Sequence, residues 1–219
     1  EETFRAPATA SNTASAPTLS SVHDGRKRRI GVFGGTFDPP HHGHIAVAQE
    51  VRHSLHLDDV LMVVANDPWQ KTAVFTVTPA STRLALCRMA FDPVDGLDVS
   101  DIEISRGGAS YTADTLAALS GTDRELFLVV GSDAAAGLDT WKRADEVQRL
   151  ATAVVVDRGG RQGGRPPAGW NHVVVDVPAL EISSSDLRAR FGTDRPVEGL
   201  LPRAVIDEVR AHGLYGSGR

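Results

Sequence analysis

The residues best suited to chemistry lie in one run, Gly34-Gly35-Thr36-Phe37-Asp38-Pro39-Pro40-His41-His42-Gly43-His44. Paired glycines let a backbone approach a ligand closely, because no Cβ stands in the way. Two histidines in a His-x-Gly-His spacing, His41 and His44, then fall near the start of whatever helix follows. Free N–H groups and the positive end of the helix dipole make such a start a place for an anion. Imidazole donors can take up charge as it builds on a phosphate, without the cost of burying a fixed cation. Gly43 is expected to leave room between the two rings for a phosphate chain. The competing use is zinc, which two histidines three apart can hold, but no cysteine or carboxylate follows at helical spacing to complete a ligand set. No metal site is assigned, and His42 is expected to be solvated and without a role.

A second run, Ile182-Ser183-Ser184-Ser185-Asp186-Leu187-Arg188, lies near the other end of the chain. One serine caps a helix, and three hydroxyls exceed what one cap needs. If the helix begins at Ser184, Arg188 stands one turn on along the same face. Its guanidinium can then return to a helix mouth that already favours phosphate. Two anion sites so far apart in sequence suit a triphosphate held across the switch point of an open parallel sheet.

The chain between the two runs has the pattern of such a sheet, a Rossmann-like α/β fold with flanking helices. Short apolar runs alternate with segments of helical period, as in strands joined by crossover helices. Strands are expected at residues 30–33, 60–65, 97–104, 126–130, 153–156 and 173–175. Ala46, Val47, Val51 and Leu55 recur at helical spacing, and further helices are expected over 82–90, 112–119, 144–150, 184–190 and 202–212. The last of these opens with proline and ends before Gly213, as helices often do. The Gly/Arg/Pro run 158–169 reads as a loop too polar and flexible for the core.

Composition narrows the function. With 219 residues the chain suits one domain and one active site. A net charge of -5, with one short basic cluster at Arg26-Lys27-Arg28-Arg29 beside the first strand, excludes a nucleic-acid surface. The single cysteine, Cys87, permits no intramolecular disulfide and fits a reducing compartment, so a cytoplasmic location is expected. No apolar stretch approaches the roughly 18 residues of a membrane span, and no apolar run marks a secretory signal. Residues 1–27, rich in Ala, Ser, Thr and Pro, are expected to form a disordered tail ahead of a domain over 28–219. The absence of an initiating Met leaves open a trimmed precursor, and Glu1, Glu2 and Asp24 disfavour a transit-type leader. The sequence leaves a homo-oligomer open.

The first run, Gly34-Gly35-Thr36-Phe37-Asp38-Pro39 with His41-x-Gly-His44, resembles the signature of the nucleotidylyltransferase superfamily. Its members share a Rossmann-like fold and condense a nucleoside triphosphate with a phosphate-bearing acceptor. The second run resembles the superfamily's Ile-Ser-Ser-Thr-x-x-Arg, with Ser185 keeping the hydroxyl in the Thr position. Three further segments are similar to the nicotinate-mononucleotide adenylyltransferase branch: Ser110-Tyr111-Thr112-x-Asp114-Thr115-Leu116, Gly131-Ser132-Asp133 with Leu138 and Trp141, and His212-Gly213-Leu214-Tyr215. The resemblance runs from Arg29 to about Tyr215. It departs where the family commonly shows Pro-Asn-x-x-Pro-Pro-His-Lys. Here Ala65-Asn66-Asp67-Pro68-Trp69-Gln70-Lys71 keeps Asn66 and Lys71, puts Gln70 in the place of His, and adds Trp69.

The resemblance implies transfer of the adenylyl group of ATP to nicotinate mononucleotide, with Mg²⁺ accompanying ATP. His41, His44 and Arg188 would stabilise the departing pyrophosphate. ATP would be held by these three with Gly34, Gly35, Thr36, Phe37, Gly43, Gly131, Asp133, Ile182, Ser183, Ser184 and Ser185. The pyridine nucleotide would meet Thr36, Asn66, Lys71, Tyr111, Thr112 and Trp141, with Trp141 stacked on the ring, Thr112 near its carboxylate and Lys71 on its phosphate. An ionised acceptor phosphate is already a nucleophile, so no side-chain base is required. The rival readings are another acceptor or donor in the same superfamily (nicotinamide mononucleotide, phosphopantetheine or a cytidylyl donor), a nonenzymatic nucleotide sensor, and a dehydrogenase. The last lacks the G-x-G-x-x-G spacing.

Overall fold

The apolar runs become strands of one sheet because helices cover both of its faces. The computed structural model describes residues 25–67, 77–160 and 162–217. Among them β1 (Arg28–Gly35), β2 (Asp59–Val64), β3 (Leu97–Ser100), β4 (Arg124–Gly131), β5 (Ala151–Arg158) and β6 (His172–Val177) pair in the order β3-β2-β1-β4-β5-β6. Every pairing is parallel. The chain leaves β1 in one direction and returns through β4 in the other, so the carboxyl ends of β1 and β4 form the switch point.

Alternation along each strand sorts side chains between two cores. From β2, Val60, Met62 and Val64 pack with helices α1 (His42–Ser54) and α2 (Ala80–Phe91). From the same strand Leu61 and Val63 face Leu116 of α4 (Thr112–Leu119). The first core also takes Leu187 of α7 (Ser184–Gly192) and Val205 of α8 (Arg203–Ala211). The second takes Leu138, in a 3₁₀ turn (Leu138–Thr140), and Val147 of α6 (Ala144–Leu150). The turn and α6 follow a short α5 (Ser132–Ala135).

The segments expected to be helical over 112–119 and 144–150 have those bounds, and the other helices agree to within a few residues. The strand expected over 97–104 does not extend that far. It stops at Ser100, whose Oγ accepts the Ile102 N–H at 3.3 Å, and α3 (Ile102–Arg106) follows. Ile102 and Ile104 alternate like strand residues, but Val63↔Ser100 is the last pair that β2 offers to β3. Turning into a helix buries Glu103 instead.

Of the tail expected over 1–27, residues 1–24 lie outside the described residues. Arg26 is already anchored to the Asp58 carboxylate at 3.0 Å, and Arg28 pairs with Asp59. The loop after β5 is also more attached than its composition suggests. Arg165 returns to the buried carboxylate of Asp157 at 2.6 Å, and Trp170, 7% exposed, joins the second core. Among the described residues no helix is long and apolar enough to cross a membrane.

Candidate active site

The two sequence runs meet at the carboxyl end of β1. Gly34, Gly35 and Thr36 leave the strand there, and Phe37 turns with φ 49, the left-handed region. The turn folds the Phe37 ring back beneath Gly35, where a Cβ would come within 2.7 Å of it, so glycine is required at that position. Phe37 is 2% exposed and packs edge-on against Phe33, Phe91 and His44. Its ring is therefore a support for His44, and only its backbone can face a nucleotide.

Asp38 is 2% exposed and fastens the loop from inside. Its carboxylate accepts the Tyr215 hydroxyl at 2.7 Å and the Thr78 N–H at 3.1 Å. Its carbonyl accepts Arg188 Nη1 at 2.7 Å. Arg83, 1% exposed on α2, donates to the carbonyls of Thr36 (2.9 Å), Asn66 (3.0 Å) and Thr78 (2.8 Å). One buried cation thus ties together the ends of β1 and β2 and the approach to α2.

His41 caps α1, and His44 lies within its first turn. The two rings are stacked, with centroids 3.7 Å apart and planes at 26°. No phosphate chain fits between them, which corrects the role expected of Gly43. A Cβ at Gly43 would come within 3.0 Å of His41 Nδ1, so this glycine instead makes room for the His41 ring. The His41 N–H donates to His44 Nδ1 at 3.2 Å, which leaves the proton of a neutral His44 on Nε2. Burial, reinforced by the positive charges of Arg158 and His42, lowers His41 to about 4, so it is a neutral imidazole near neutral pH. His42 has a role after all. Its Nδ1 lies 3.0 Å from the Gly199 carbonyl, and its N–H donates to Leu200, tying α1 to the segment before α8.

Each of the three serines at α7 does something different. Ser183 is the cap and accepts the Asp186 N–H at 3.1 Å. Ser184 donates to the Pro39 carbonyl at 2.9 Å, and Ser185 accepts Arg188 Nη2 at 3.2 Å. The surplus of hydroxyls noted in the sequence is spent on joining the two runs and aiming the arginine.

Two clefts open on either side of the glycine turn. One, of about 500 Å³, is lined by Gly34, Gly35, Thr36, His41, His44, Ile182, Ser183, Ser184, Ser185 and Arg188, with Arg158 from the end of β5. It is rich in hydrogen-bond donors. The other, of about 360 Å³, has apolar walls from Val32, Val63, Leu128 and Val130 and carries Ser110, Thr112, Thr115, Glu103 and Trp141. Phe33, Gly34, Gly35 and Thr36 belong to both. A further hollow of about 410 Å³, lined by Ser120, Arg124 and Gln148, takes in the amino ends of β4 and β5, away from both runs.

Most of the expected residues converge here, but not all in the place expected. Gly131 lines the cleft of Trp141 and Thr112, whereas it was assigned to ATP. Asp133 is exposed on α5 and lines neither cleft. Tyr111 is the N-cap of α4, with Lys142 Nζ 5.4 Å over its ring, outside the lining of both clefts. Asn66 acts as a fastener. Its N–H donates to Ser110 Oγ at 2.9 Å and its Nδ2 to the Gly108 carbonyl at 2.8 Å, which sets Ser110 in the cleft wall. Lys71, with Trp69 and Gln70, lies outside the described residues. Sequence reasoning missed Arg83, Glu103 and Arg158. Only Arg158 left a signal, as the residue closing an apolar strand at the carboxyl edge of a parallel sheet.

Comparison with known proteins agrees with this geometry. Residues 32–190 match the cytidylyltransferase-like family. The chain is 41% identical over 192 residues to the probable nicotinate-nucleotide adenylyltransferase of Corynebacterium kroppenstedtii, covering 85% of this chain and 90% of that one. Its identity to the protein of that name from Clavibacter michiganensis subsp. michiganensis is 42% over 194 residues, covering 86% and 94%. Among solved structures, Plasmodium falciparum nicotinic acid mononucleotide adenylyltransferase complexed with NaAD superposes with a TM-score of 0.71 at 17% identity, over 86% of this chain and 97% of that one. At that identity the likeness shows the shared fold. By its family match, its curated relatives and its fold, the chain belongs to the nicotinate-nucleotide adenylyltransferases, a branch of the cytidylyltransferase-like nucleotidyltransferases.

Proposed function

We propose that the protein transfers the adenylyl group of ATP to the phosphate of nicotinate mononucleotide, releasing pyrophosphate and forming nicotinate adenine dinucleotide in NAD biosynthesis. The observation that carries this reading is the pair of clefts sharing one wall, the Gly34-Gly35-Thr36 turn. A donor-rich cleft suits a triphosphate, and an apolar cleft with an indole suits an aromatic ring. The shared turn is where their phosphates would meet.

In the reaction, an oxygen of the acceptor phosphate attacks the α-phosphorus of ATP, and the new P–O bond joins the two nucleotides. The bond from the α-phosphorus to the bridging oxygen breaks, and pyrophosphate leaves with that electron pair. The residues bind and orient, with no proton to remove. His41, His44 and Arg188 donate toward the departing pyrophosphate, while α1 and α7 point their N-termini at the same cleft. Trp141 stacks on the pyridine, and Thr112 with the free N–H groups at the start of α4 takes the ring carboxylate. ATP is used with a divalent cation, which we take to be Mg²⁺. Both Asp38 carboxylate oxygens are engaged by Tyr215 and Thr78, and among the described residues no three His, Cys, Asp or Glu side chains converge on a point. The cation would therefore be held chiefly by phosphate oxygens and water.

Pyrophosphate release measured with ATP and either nicotinate or nicotinamide mononucleotide tests the proposal. The acid is expected to be preferred by roughly a hundredfold, because the donors at Thr112 and the start of α4 bond a charged carboxylate more strongly than a neutral amide. Release with phosphopantetheine, or with CTP as donor, and none with either pyridine nucleotide would overturn it.

A further inference from the structure

The cleft that carries Trp141 also holds a carboxylate for which adenylyl transfer itself has no use. Glu103, on α3, is 7% exposed and lines that cleft. Its Oε1 accepts the Thr115 hydroxyl at 2.6 Å, and the Thr115 oxygen accepts from Arg106 at 3.3 Å. Arg106 is thus linked to the carboxylate only through the Thr115 hydroxyl. Among the described residues its second oxygen takes no hydrogen bond, and the side chain forms no ion pair. A carboxylate that lines a cleft with one neutral donor on it is placed to receive a positive charge brought by a ligand.

We infer that Glu103 is a specificity-determining residue that recognises the positive charge of the acceptor's pyridinium ring. The inference rests on the proposed use of a pyridine mononucleotide. In such a compound the ring nitrogen is bonded to ribose, so the ring carries a positive charge whichever substituent it bears. Trp141 offers its π face to that charge. Glu103 completes the recognition with a full negative charge, in a cleft whose remaining walls are apolar or neutral and screen it little. The substituent is read elsewhere, at Thr112 and the start of α4, so acid and amide depend on Glu103 alike. Glu103 discriminates the oxidation state of the ring, because a 1,4-dihydropyridine is uncharged.

Glu103→Gln tests this, since glutamine keeps an oxygen to accept from Thr115 while removing the charge. Pyrophosphate release is measured for the wild type and the variant with nicotinate mononucleotide and with its dithionite-reduced dihydro form. The wild type is expected to favour the oxidised ring by about tenfold or more in kcat/KM. The variant loses about that factor on the oxidised ring, through KM, and keeps both its KM for ATP and its activity on the reduced ring. Calorimetric binding of the two ring forms to both proteins reads the same difference without turnover, and separates the part due to Glu103 from the part due to the Trp141 ring. Equal loss on both rings, or equal wild-type affinity for the two, overturns the inference and leaves the proposed function standing. Absence of pyrophosphate release with every pyridine mononucleotide overturns both.

Discussion

Tyr215→Phe removes a single oxygen 177 residues away in sequence from the loop it holds, and its consequences can be worked out from contacts. The hydroxyl donates at 2.7 Å to the carboxylate of Asp38, a residue 2% exposed whose other oxygen is already engaged by Thr78. Losing a hydrogen bond to a charged acceptor typically costs about 1.5–3 kcal/mol. For a domain of this size about 2 kcal/mol corresponds to a fall in Tm of roughly 4–8 °C. The Asp38 carbonyl also anchors Arg188, so loosening the loop should lower kcat/KM for ATP severalfold while sparing KM for the pyridine nucleotide. A pH signature accompanies this. Burial and the neighbouring Asp38 carboxylate raise the phenol above its usual 10.0. The unfolded chain therefore ionises this phenol first, so its contribution to wild-type stability is intact below about pH 10 and is lost as pH rises past it; buried Cys87 adds an alkaline loss common to both proteins, and the extra loss above pH 10 is the part the variant lacks. Thermal unfolding at pH 7, urea denaturation at pH 7 and 10.5, and pyrophosphate-release kinetics check all three. A Tm within about 1 °C of wild type together with unchanged ATP kinetics would refute the clamp.

The remaining expectations concern the two clefts. His44→Ala should keep the fold and lower kcat by on the order of a hundredfold, since an aligned Nε2–H donor to the departing charge is lost; near-native turnover in a folded variant counts against the phosphate assignment. His41 titrates at about 4 in the folded protein against 6.5 when unfolded, so the unfolded state binds the extra proton between those values. Stability should therefore be complete above pH 6.5 and fall by about 3 kcal/mol on acidification toward pH 4, a loss that urea titrations of His41→Asn should not show. Arg188→Ala should act mainly on KM for ATP, and a defect confined to the pyridine nucleotide would contradict its place in the donor cleft. Trp141→Ala should weaken acid and amide acceptors together, by about tenfold for a lost stacking contact, with ATP binding spared; loss on one acceptor alone would move Trp141 off the ring face.

Much of this site is legible in the sequence because its parts are local. Gly34 through His44 and Ile182 through Arg188 each form a strand end or helix start, where backbone geometry dictates the residue type. The strands are legible because a run such as residues 60–64 is buried on both faces. What sequence conceals is the partner of a charged side chain. Arg83 lies in an ordinary helical stretch, where an arginine reads as solvated, yet it is 1% exposed and bound to three carbonyls brought together only by the tertiary fold. Glu103 is hidden by the alternation of Ile102 and Ile104, which imitates a strand. Gly43 shows a subtler failure: the need for a small residue is legible, but whether the space is for a ligand or for a neighbouring ring depends on the His41 rotamer, which spacing does not encode.

The division of labour between charged and neutral groups follows from the cost of leaving a site empty. A fixed charge facing an unfilled cleft lacks a partner until the ligand arrives, whereas one turned inward can be satisfied permanently. Arg83 and Asp38 take the second course, spending their charges on backbone carbonyls, an N–H and the Tyr215 hydroxyl so that the turns keep their shape. Apart from Arg158 at the end of β5, the donor cleft is left to groups that cost little when empty, namely neutral His41, serine hydroxyls and helix N-termini. Arg188 stands between the two, with one arm of its guanidinium on the Asp38 carbonyl and the other on Ser185. A polyphosphate entering this cleft therefore meets donors already oriented by groups it never touches, which is the arrangement that lets electrostatic stabilisation favour the departing charge without reorganisation at the moment of transfer.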